Sequence, residues 1–182
     1  MIQPRVFGRK LPRNDFEGDD RTPGAGGEYV TCMDTAAGRM VAWATNGRID
    51  KDGRVYRAVL NDPDGITLDQ AAVAIKRVAD LDLVQPRGWD LRHVKTHLRY
   101  GRGLIIDGWY SAVPRAYRHQ AFADFTHAMW VSHMSAATGN VRLWDPLNPD
   151  VHAYGRWVPG PVIWAFLETL HFTCGYVPLE AL

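Results

Sequence analysis

Three residues whose side chains could form a nucleophilic site occur in the order Cys32, His127 and Asp145. A thiol, an imidazole and a carboxylate are the groups of nucleophilic acyl transfer, in which the imidazole activates the thiol and the carboxylate orients the imidazole. Long stretches of chain separate the three residues, so they can meet only through the fold. We take them as candidate catalytic residues, and the elements that carry them decide whether a site exists.

The candidate nucleophile lies just before a segment with the composition of a helix. Thr35–Thr45 is rich in alanine and ends in apolar residues, and Thr31 or Asp34 could cap the helix that it forms. Cys32 is therefore expected at or near a helix N-terminus. The positive end of the helix dipole favours negative charge there and lowers the pKa of a thiol.

The other two candidates lie on two segments that are typical of strands. Phe125–Met134 contains His127, and Val141–Trp144 ends directly before Asp145. Ala136–Asn140 has the composition of a turn, so the two strands are expected to form a hairpin. Adjacent antiparallel strands can present an imidazole and a carboxylate side by side.

Further elements complete an α+β fold in which a helical lobe packs on an antiparallel sheet. Turn signals in Asn46–Gly65 suggest a hairpin. The remaining predicted elements are a helix at Thr67–Ala79 with a Thr67–Gln70 capping box, a helix at Asp90–Tyr100 ended by Gly101–Gly103, a strand at Leu104–Ile106, a helix at Pro161–Phe172, and a closing strand at Tyr176–Leu179.

Length and composition indicate one globular domain behind a polar arm. The chain has 182 residues, of which 46% are hydrophobic and 23% charged, with a net charge of +1. This balance favours neither nucleic acid nor an anionic membrane as partner, and no apolar run is long enough to span a bilayer. Residues 1–27 are expected to form an extended arm and residues 28–182 the domain. The arm lacks the apolar core of a secretory signal, so we expect a protein that is cytoplasmic when made.

The order of these elements resembles that of papain-like cysteine peptidases, and specifically of the double-glycine leader peptidases that process bacteriocins, with their relatives. The resemblance covers about Tyr29–Leu179. It is carried by the helix that begins at the cysteine, by Gly65–Ala72, by the helix and apolar strand of Leu98–Ile106, by Thr126–Val131, by Asp145-Pro146, and by Val158–Leu170.

The resemblance implies a papain-like fold and hydrolysis of a peptide or amide bond through a thioester, without a cofactor or metal. It implies that Cys32 is the nucleophile, His127 the base and Asp145 the orienting group. Relatives of this group occur in phage lysins and tail proteins. By analogy, the substrate would be a peptide of the host cell wall (a peptidoglycan stem peptide) or a virion protein. Residues 1–27 would then dock on phage structural proteins, and the protein would be virion-associated.

The chain departs from the family's pattern before the cysteine. These peptidases usually place a glutamine a few residues earlier to complete the oxyanion hole, whereas Thr22–Thr31 contains neither Gln nor Asn. The backbone N–H of Cys32, Thr31 or Asn14 could donate instead. The departure leaves open a catalytically inactive structural module, fixed in an assembly through residues 1–27. A disulfide between Cys32 and Cys174 would support that alternative.

Two other enzyme classes are compatible with parts of the sequence. A transglutaminase-like acyltransferase uses the same three groups, although the helix-rich segment Thr67–Gly101 favours the leader-peptidase relatives. A metal hydrolase is suggested by His93 and His97, which have the i, i+4 spacing of metal ligands on a helix. No Glu lies between them and no third ligand is evident, so we predict no metal site.

Aromatic residues could line a substrate groove beside the candidate site. The candidates are Trp109, Tyr110, Trp130, Trp144 and Trp157. Packing in the core explains most of them as well or better.

Overall fold

The computed structural model describes residues 32–51, 53–61, 66–118, 124–147 and 155–179. The predicted arm (residues 1–27) lies outside these ranges, as do the proposed cap Thr31 and the donor Asn14. The elements, in chain order, are α1 Cys32–Ala44, α2 Gly53–Ala58, α3 Leu68–Ala79, α4 Leu91–Arg99, β1 Leu104–Trp109, β2 Thr126–Met134, β3 Val141–Trp144, β4 Arg156–Val158, α5 Gly160–Glu168 and β5 Cys174–Gly175.

The strands form one antiparallel sheet with the order β4-β3-β2-β1-β5. The predicted hairpin is β2–β3, in which Trp130 lies opposite Trp144. Strand β1 runs along the other side of β2, with Gly108 opposite His127. The sequence-based prediction of helices packed on an antiparallel sheet is therefore confirmed.

Helix α1 is the central helix of the fold and is buried from its second residue to its last. It packs against β1 and β2 on one side and against α2 and α3 on the other. The helix begins at Cys32, three residues before the predicted start. Asp34 consequently lies inside the first turn and not at the cap position, and its Oδ1 accepts a 2.9 Å hydrogen bond from the Thr35 N–H.

The sheet separates two hydrophobic clusters. The cluster on the α1 side includes Met40, Trp43, Ile105, Ala128 and Trp130. The cluster on the other side, under α4 and α5, includes Leu98, Ile106, Met129, Leu143 and Phe166. Neighbouring strand residues thus alternate between the two clusters, as the pleat of a strand requires.

The helices α3 and α4 lie where the sequence predicts them, and side chains cap both at their N-termini. The Thr67 hydroxyl accepts from the Gln70 N–H, and the Gln70 side chain accepts from the Thr67 N–H, which is the predicted capping box at the start of α3. Asp90 caps α4 by accepting from the N–H groups of Arg92 and His93. The last helix, α5, begins at Gly160, one residue before the predicted start, and ends at Glu168.

The predicted hairpin in Asn46–Gly65 is wrong, because Gly53–Ala58 forms the short helix α2. A Cβ at Gly53 would lie 2.8 Å from the backbone nitrogen of Thr35, so glycine permits a close approach to α1 there. Tyr56 is then fully buried against α1. The glycine of the predicted turn is therefore needed for the close packing on α1, and the chain does not reverse there between two strands.

Two predictions at the sheet edges need correction. The closing strand is Cys174–Gly175, which pairs with β1, whereas Tyr176 forms an isolated bridge with Val84. Strand β4, at the opposite edge, was not expected from the sequence. Both strands are too short to show a periodicity of their own. Within the described ranges, no helix combines the length and apolarity needed to cross a bilayer.

Candidate active site

Cys32 is the first residue of α1, where it is half-buried. The backbone N–H of Ala128, in β2, donates a 3.3 Å hydrogen bond to Cys32 Sγ. Both the helix dipole and this N–H donor favour a sulfur that carries negative charge. The sequence-predicted position at a helix N-terminus thus brings the thiol to the strand that carries His127.

His127 is the second residue of β2, and only 2% of the residue is exposed. Its Nε2 contacts Asp145 Oδ1 at 2.8 Å. The ring also hydrogen-bonds Cys32, which leaves Nδ1 as the nitrogen that faces the sulfur. Burial lowers the pKa of His127, but the charges of Asp145 and Cys32 and their hydrogen bonds raise that pKa well above its ordinary value.

Asp145 follows β3 directly and is also buried. Its Oδ1 accepts from the Leu147 N–H at 3.0 Å as well as contacting His127, and its Oδ2 accepts from the Tyr110 hydroxyl at 2.7 Å. Burial raises the pKa of this carboxyl, but His127 and the two other donors hold the pKa below its ordinary value. The arrangement therefore favours a carboxylate beside an imidazolium.

The structure thus brings together all three residues that the sequence singled out. The linkage runs from Cys32 to His127 to Asp145, from a helix N-terminus across two adjacent strands. Such an arrangement can hold a thiolate–imidazolium pair and return the proton to a leaving group.

Tyr110 is part of the site, although the sequence suggested it only as a candidate for lining a groove. The residue is fully buried and contacts Asp145 through its hydroxyl. The edges of the Tyr110 and Phe125 rings pack around His127, with ring centroids 4.7 Å and 6.1 Å from that of the imidazole. No local sequence signal marks this role, because the pairing of β1 with β2 creates it.

The other predicted groove aromatics divide into two groups. Trp130 and Trp144 are buried core residues in contact with each other, so of the two roles left open by the sequence, packing in the core applies to them. Trp109 is 39% exposed and Trp157 is 42% exposed. Only these two of the five are available at the surface.

Asp107 is an acidic residue near the site that sequence reasoning missed. It lies on β1 directly opposite Ala128 and is half-buried. Burial raises the pKa of its carboxyl, while a hydrogen bond from the Gly108 N–H and the charge of His127 act in the opposite direction. Its position on the strand next to the one that carries His127 follows from sheet register, which no sequence pattern specifies.

The remaining predicted chemistry is not assembled into a second site. Neither Cys32 nor Cys174 is in a disulfide, so the bond that would have supported a structural module is not formed. His93 Nδ1 contacts Asp90 at 2.8 Å, and His97 Nε2 contacts the Gly103 carbonyl at 3.1 Å. Among the residues that the structure describes, no three His, Cys, Asp or Glu side chains are grouped as metal ligands.

Within the residues that the structure describes, the N–H groups of the first turn of α1 are the candidate donors of an oxyanion hole. An α-helix leaves its first N–H groups without intrahelical acceptors, so the first turn at Cys32 and Met33 offers candidate donors near the start of the helix. Residues 22–31, where the family's glutamine would lie, are outside the described ranges.

Comparisons with known proteins identify the fold and not the activity. No protein-family model matches the sequence, and no curated protein matches it. Among solved structures, the chain is similar to a crystal structure described as a "putative C39-like peptidase from Bacillus anthracis", with 13% sequence identity and a TM-score of 0.57. The match covers 95% of this chain and 100% of the other. The chain therefore has the α+β fold of papain-like cysteine peptidases.

Proposed function

We propose that this protein is a cysteine peptidase that hydrolyses a peptide or amide bond with Cys32, His127 and Asp145. The observation that carries the proposal is the continuous hydrogen-bonded linkage of the three side chains at the N-terminus of α1. A structural role would require no such linkage between a half-buried thiol and a buried imidazole–carboxylate pair.

The reaction would proceed through an acyl-enzyme. The Cys32 thiolate attacks the substrate carbonyl carbon, and the oxyanion that forms accepts hydrogen bonds from the first turn of α1. His127 gives its Nδ1 proton to the leaving amine as the C–N bond breaks, which leaves a thioester. The neutral imidazole then takes a proton from water, the resulting hydroxide attacks the thioester, and the thiolate leaves. Asp145 keeps Nδ1 directed at the sulfur throughout.

The substrate that we propose is a peptide of a host cell wall or a virion protein, in the setting of a phage tail or lysin. Support for this setting comes from the sequence resemblance alone. Docking of residues 1–27 on phage structural proteins belongs to the same proposal.

The pH dependence of Cys32 alkylation by iodoacetamide tests the mechanism without a known substrate. A thiolate–imidazolium pair keeps Cys32 reactive down to about pH 6, whereas an ordinary thiol has a pKa of about 8.5. We expect His127→Ala to slow labelling at pH 6 by on the order of a hundredfold. The labelled residue is identified by mass spectrometry. Cys174 is the internal control, because burial raises the pKa of its thiol to about 12.

Two variants complete the test. His93→Ala removes an imidazole from the surface of α4 and should leave Cys32 labelling unchanged. Cys32→Ala should abolish turnover of any substrate found later and leave the protein folded; residual turnover would remove Cys32 from the mechanism. Slow labelling of wild-type Cys32 with an ordinary thiol titration would contradict the proposal and favour the inactive structural module.

The acyl acceptor separates the peptidase from the transglutaminase-like alternative. Both enzymes form the same thioester, but a peptidase transfers the acyl group to water and a transglutaminase transfers it to an amine. Preferential amine transfer from a glutamine-containing substrate would reassign the reaction.

A further inference from the structure

A cavity of about 420 Å³ lies at the β4 edge of the sheet. Binding sites for small organic molecules typically span about 300–1,000 Å³, so this cavity can hold one such molecule. It is lined by Ala116, Tyr117, Arg142, Gly155, Arg156 and Trp157. Two of these residues are cationic and none is acidic. The wall therefore combines positive charge with aromatic rings, and the proposed peptidase reaction makes no use of it.

The guanidinium of Arg156 lacks a counter-charge in the part of the chain that the structure describes. The residue is half-buried, and its Nε and Nη2 are buried without a hydrogen-bond acceptor. No carboxylate of the described residues forms an ion pair with it. Burial of a charge costs free energy unless an opposite charge compensates it. Because the positive charge is delocalised over the guanidinium, an anion that contacts any of its nitrogens would supply that compensation.

Aromatic rings hold the two guanidinium groups of the wall. Arg156 lies over the ring of Tyr117, with its Cζ 5.5 Å from the ring centroid. Arg142 lies over two indoles, with its Cζ 5.8 Å from the ring centroid of Trp144 and 5.6 Å from that of Trp157. A guanidinium that stacks on a ring keeps the donors in its plane for an acceptor. The cations are thus positioned before a ligand binds, which lowers the entropic cost of binding.

Strand pairing brings the two arginines to the cavity from opposite faces of the sheet. Arg142 lies opposite Trp157, and Leu143 lies opposite Arg156. Residues directly opposite each other share a face, and consecutive residues of a strand face opposite sides. Arg156 therefore shares the face of Leu143, and Tyr117 packs against the same cluster as that leucine. Because β4 is the outermost strand, a cavity at its edge can be lined from both faces.

Two further observations indicate an excess of positive charge in this region. Burial lowers the pKa of the Arg142 guanidinium, so the surroundings disfavour its charged form. Arg118 directly follows Tyr117 in the chain, and its Nε is buried without a hydrogen-bond acceptor. A wall with this charge favours an anionic ligand over a neutral one of the same shape.

We propose that this cavity binds a small organic anion, whose carboxylate or phosphate group contacts Arg156 and whose flat apolar part packs on Trp157. Carboxylates and phosphates are the anions that match the planar donors of a guanidinium. The indole of Trp157 is exposed and offers the apolar surface. The inference goes beyond the proposed peptidase function and does not depend on it.

Four simple ligands test the cavity by titration of the full chain, followed by NMR of the backbone amides. Benzoate joins a ring to a carboxylate, and phenyl phosphate joins the same ring to a phosphate. Benzamide has the shape of benzoate without the charge, and acetate has the charge without the ring. Amide resonances of β3 and β4 report the cavity, and those of α3 are the remote reference. The ionic strength is kept constant, because salt screens exposed charges.

We expect benzoate or phenyl phosphate to shift the β3 and β4 resonances and to bind at least about tenfold more tightly than benzamide and acetate. The tighter of the two identifies the preferred anionic group. Arg156→Met and Arg156→Gln should each weaken that ligand by at least about tenfold, and one folded variant is enough for the test. Unchanged α3 resonances show that a variant is folded. The control Arg87→Met removes an exposed arginine before α4 and should keep the wild-type affinity.

Three results would overturn the inference. The first is equal affinity for benzoate, phenyl phosphate and the neutral benzamide, or no shift with any of them. The second is an affinity that survives in a folded Arg156 variant, which would show attraction to the overall charge alone. The third is a set of shifts that leaves β3 and β4 unchanged. None of these results affects the iodoacetamide test of Cys32, so the cavity and the peptidase can fail separately.

Discussion

The Tyr110 hydroxyl donates a 2.7 Å hydrogen bond to Asp145 Oδ2, in the interior of the protein. His127 contacts the other oxygen of the same carboxylate at 2.8 Å. With a partner on each oxygen, the plane of the carboxylate is fixed and Oδ1 is directed at the imidazole. We therefore regard Tyr110 as a positioning residue of the proposed triad.

Tyr110→Phe should destabilise the protein by about 1–3 kcal/mol, because Asp145 Oδ2 would be left buried without a donor. The matched control is Tyr56→Phe. Tyr56 is equally buried, but its hydroxyl has no hydrogen-bond partner among the described residues. Urea unfolding at pH 7 measures both changes. A loss in Tyr56→Phe as large as that in Tyr110→Phe would contradict the role of the hydroxyl bond.

The same substitution should move acid unfolding to higher pH. The pKa of Asp145 is lowered in the folded state, so its stabilising contribution is complete above the ordinary pKa of 3.8 and is lost as pH falls through the folded value. Without the Tyr110 donor the folded pKa rises, and the loss begins at higher pH. An acid titration followed by circular dichroism checks the direction, and an unchanged midpoint would show that Tyr110 does not affect the carboxylate.

Two substitutions separate the charge of Asp145 from its role in the turn. Asp145 Oδ1 accepts both from His127 and from the Leu147 N–H. Asp145→Asn retains an oxygen for the turn but removes the charge, so iodoacetamide labelling of Cys32 at pH 6 should fall while the fold is kept. Asp145→Ala loses both functions and leaves His127 buried without its carboxylate, which should cost about 3–5 kcal/mol of stability. An unchanged labelling rate in Asp145→Asn would assign the residue to the turn alone.

Cys32→Ser should lower the pKa of His127, because the thiolate is one of the groups that raise it. A raised folded pKa contributes stability that is complete below the ordinary value of 6.5 and is lost as pH rises through the folded value. In the variant this loss should begin at lower pH. Titration of the ring resonances by NMR measures the shift, with the buried His97, whose pKa is about 4, as a remote control. Identical His127 curves would exclude a thiolate beside the ring.

Gly108→Ala should destabilise the contact between β1 and α5 and also slow Cys32 labelling. The added Cβ would lie 2.4 Å from the Phe166 carbonyl, so either the helix or the strand that holds the His127 register must move. Overpacking of this kind costs about 1–3 kcal/mol. In the control Gly139→Ala, the Cβ meets nothing within 4 Å, and only the positive φ of 70° is strained. That variant should lose stability without a change in labelling.

Local signals in the sequence determined the elements that carry the candidate triad. The capping box at Thr67 and Gln70 fixed the start of α3, and two strand-like segments on either side of a turn identified the β2–β3 hairpin. These signals depend on neighbouring residues only, so they can be read before the fold is known. They placed Cys32 at a helix N-terminus, His127 on a strand and Asp145 directly after the adjacent strand, and the catalytic roles of all three stay predictions.

Contacts between distant segments decided the rest. The segment 53–58 is a helix because Gly53 and Tyr56 pack on α1, although its turn signals suggested a hairpin. Tyr110 meets Asp145, and Asp107 comes under the charge of His127, because β1 pairs with β2 in one particular register. A shift of that register by one residue would turn each β1 side chain to the opposite face. Register depends on the packing of the whole sheet, so tertiary structure alone completes the site.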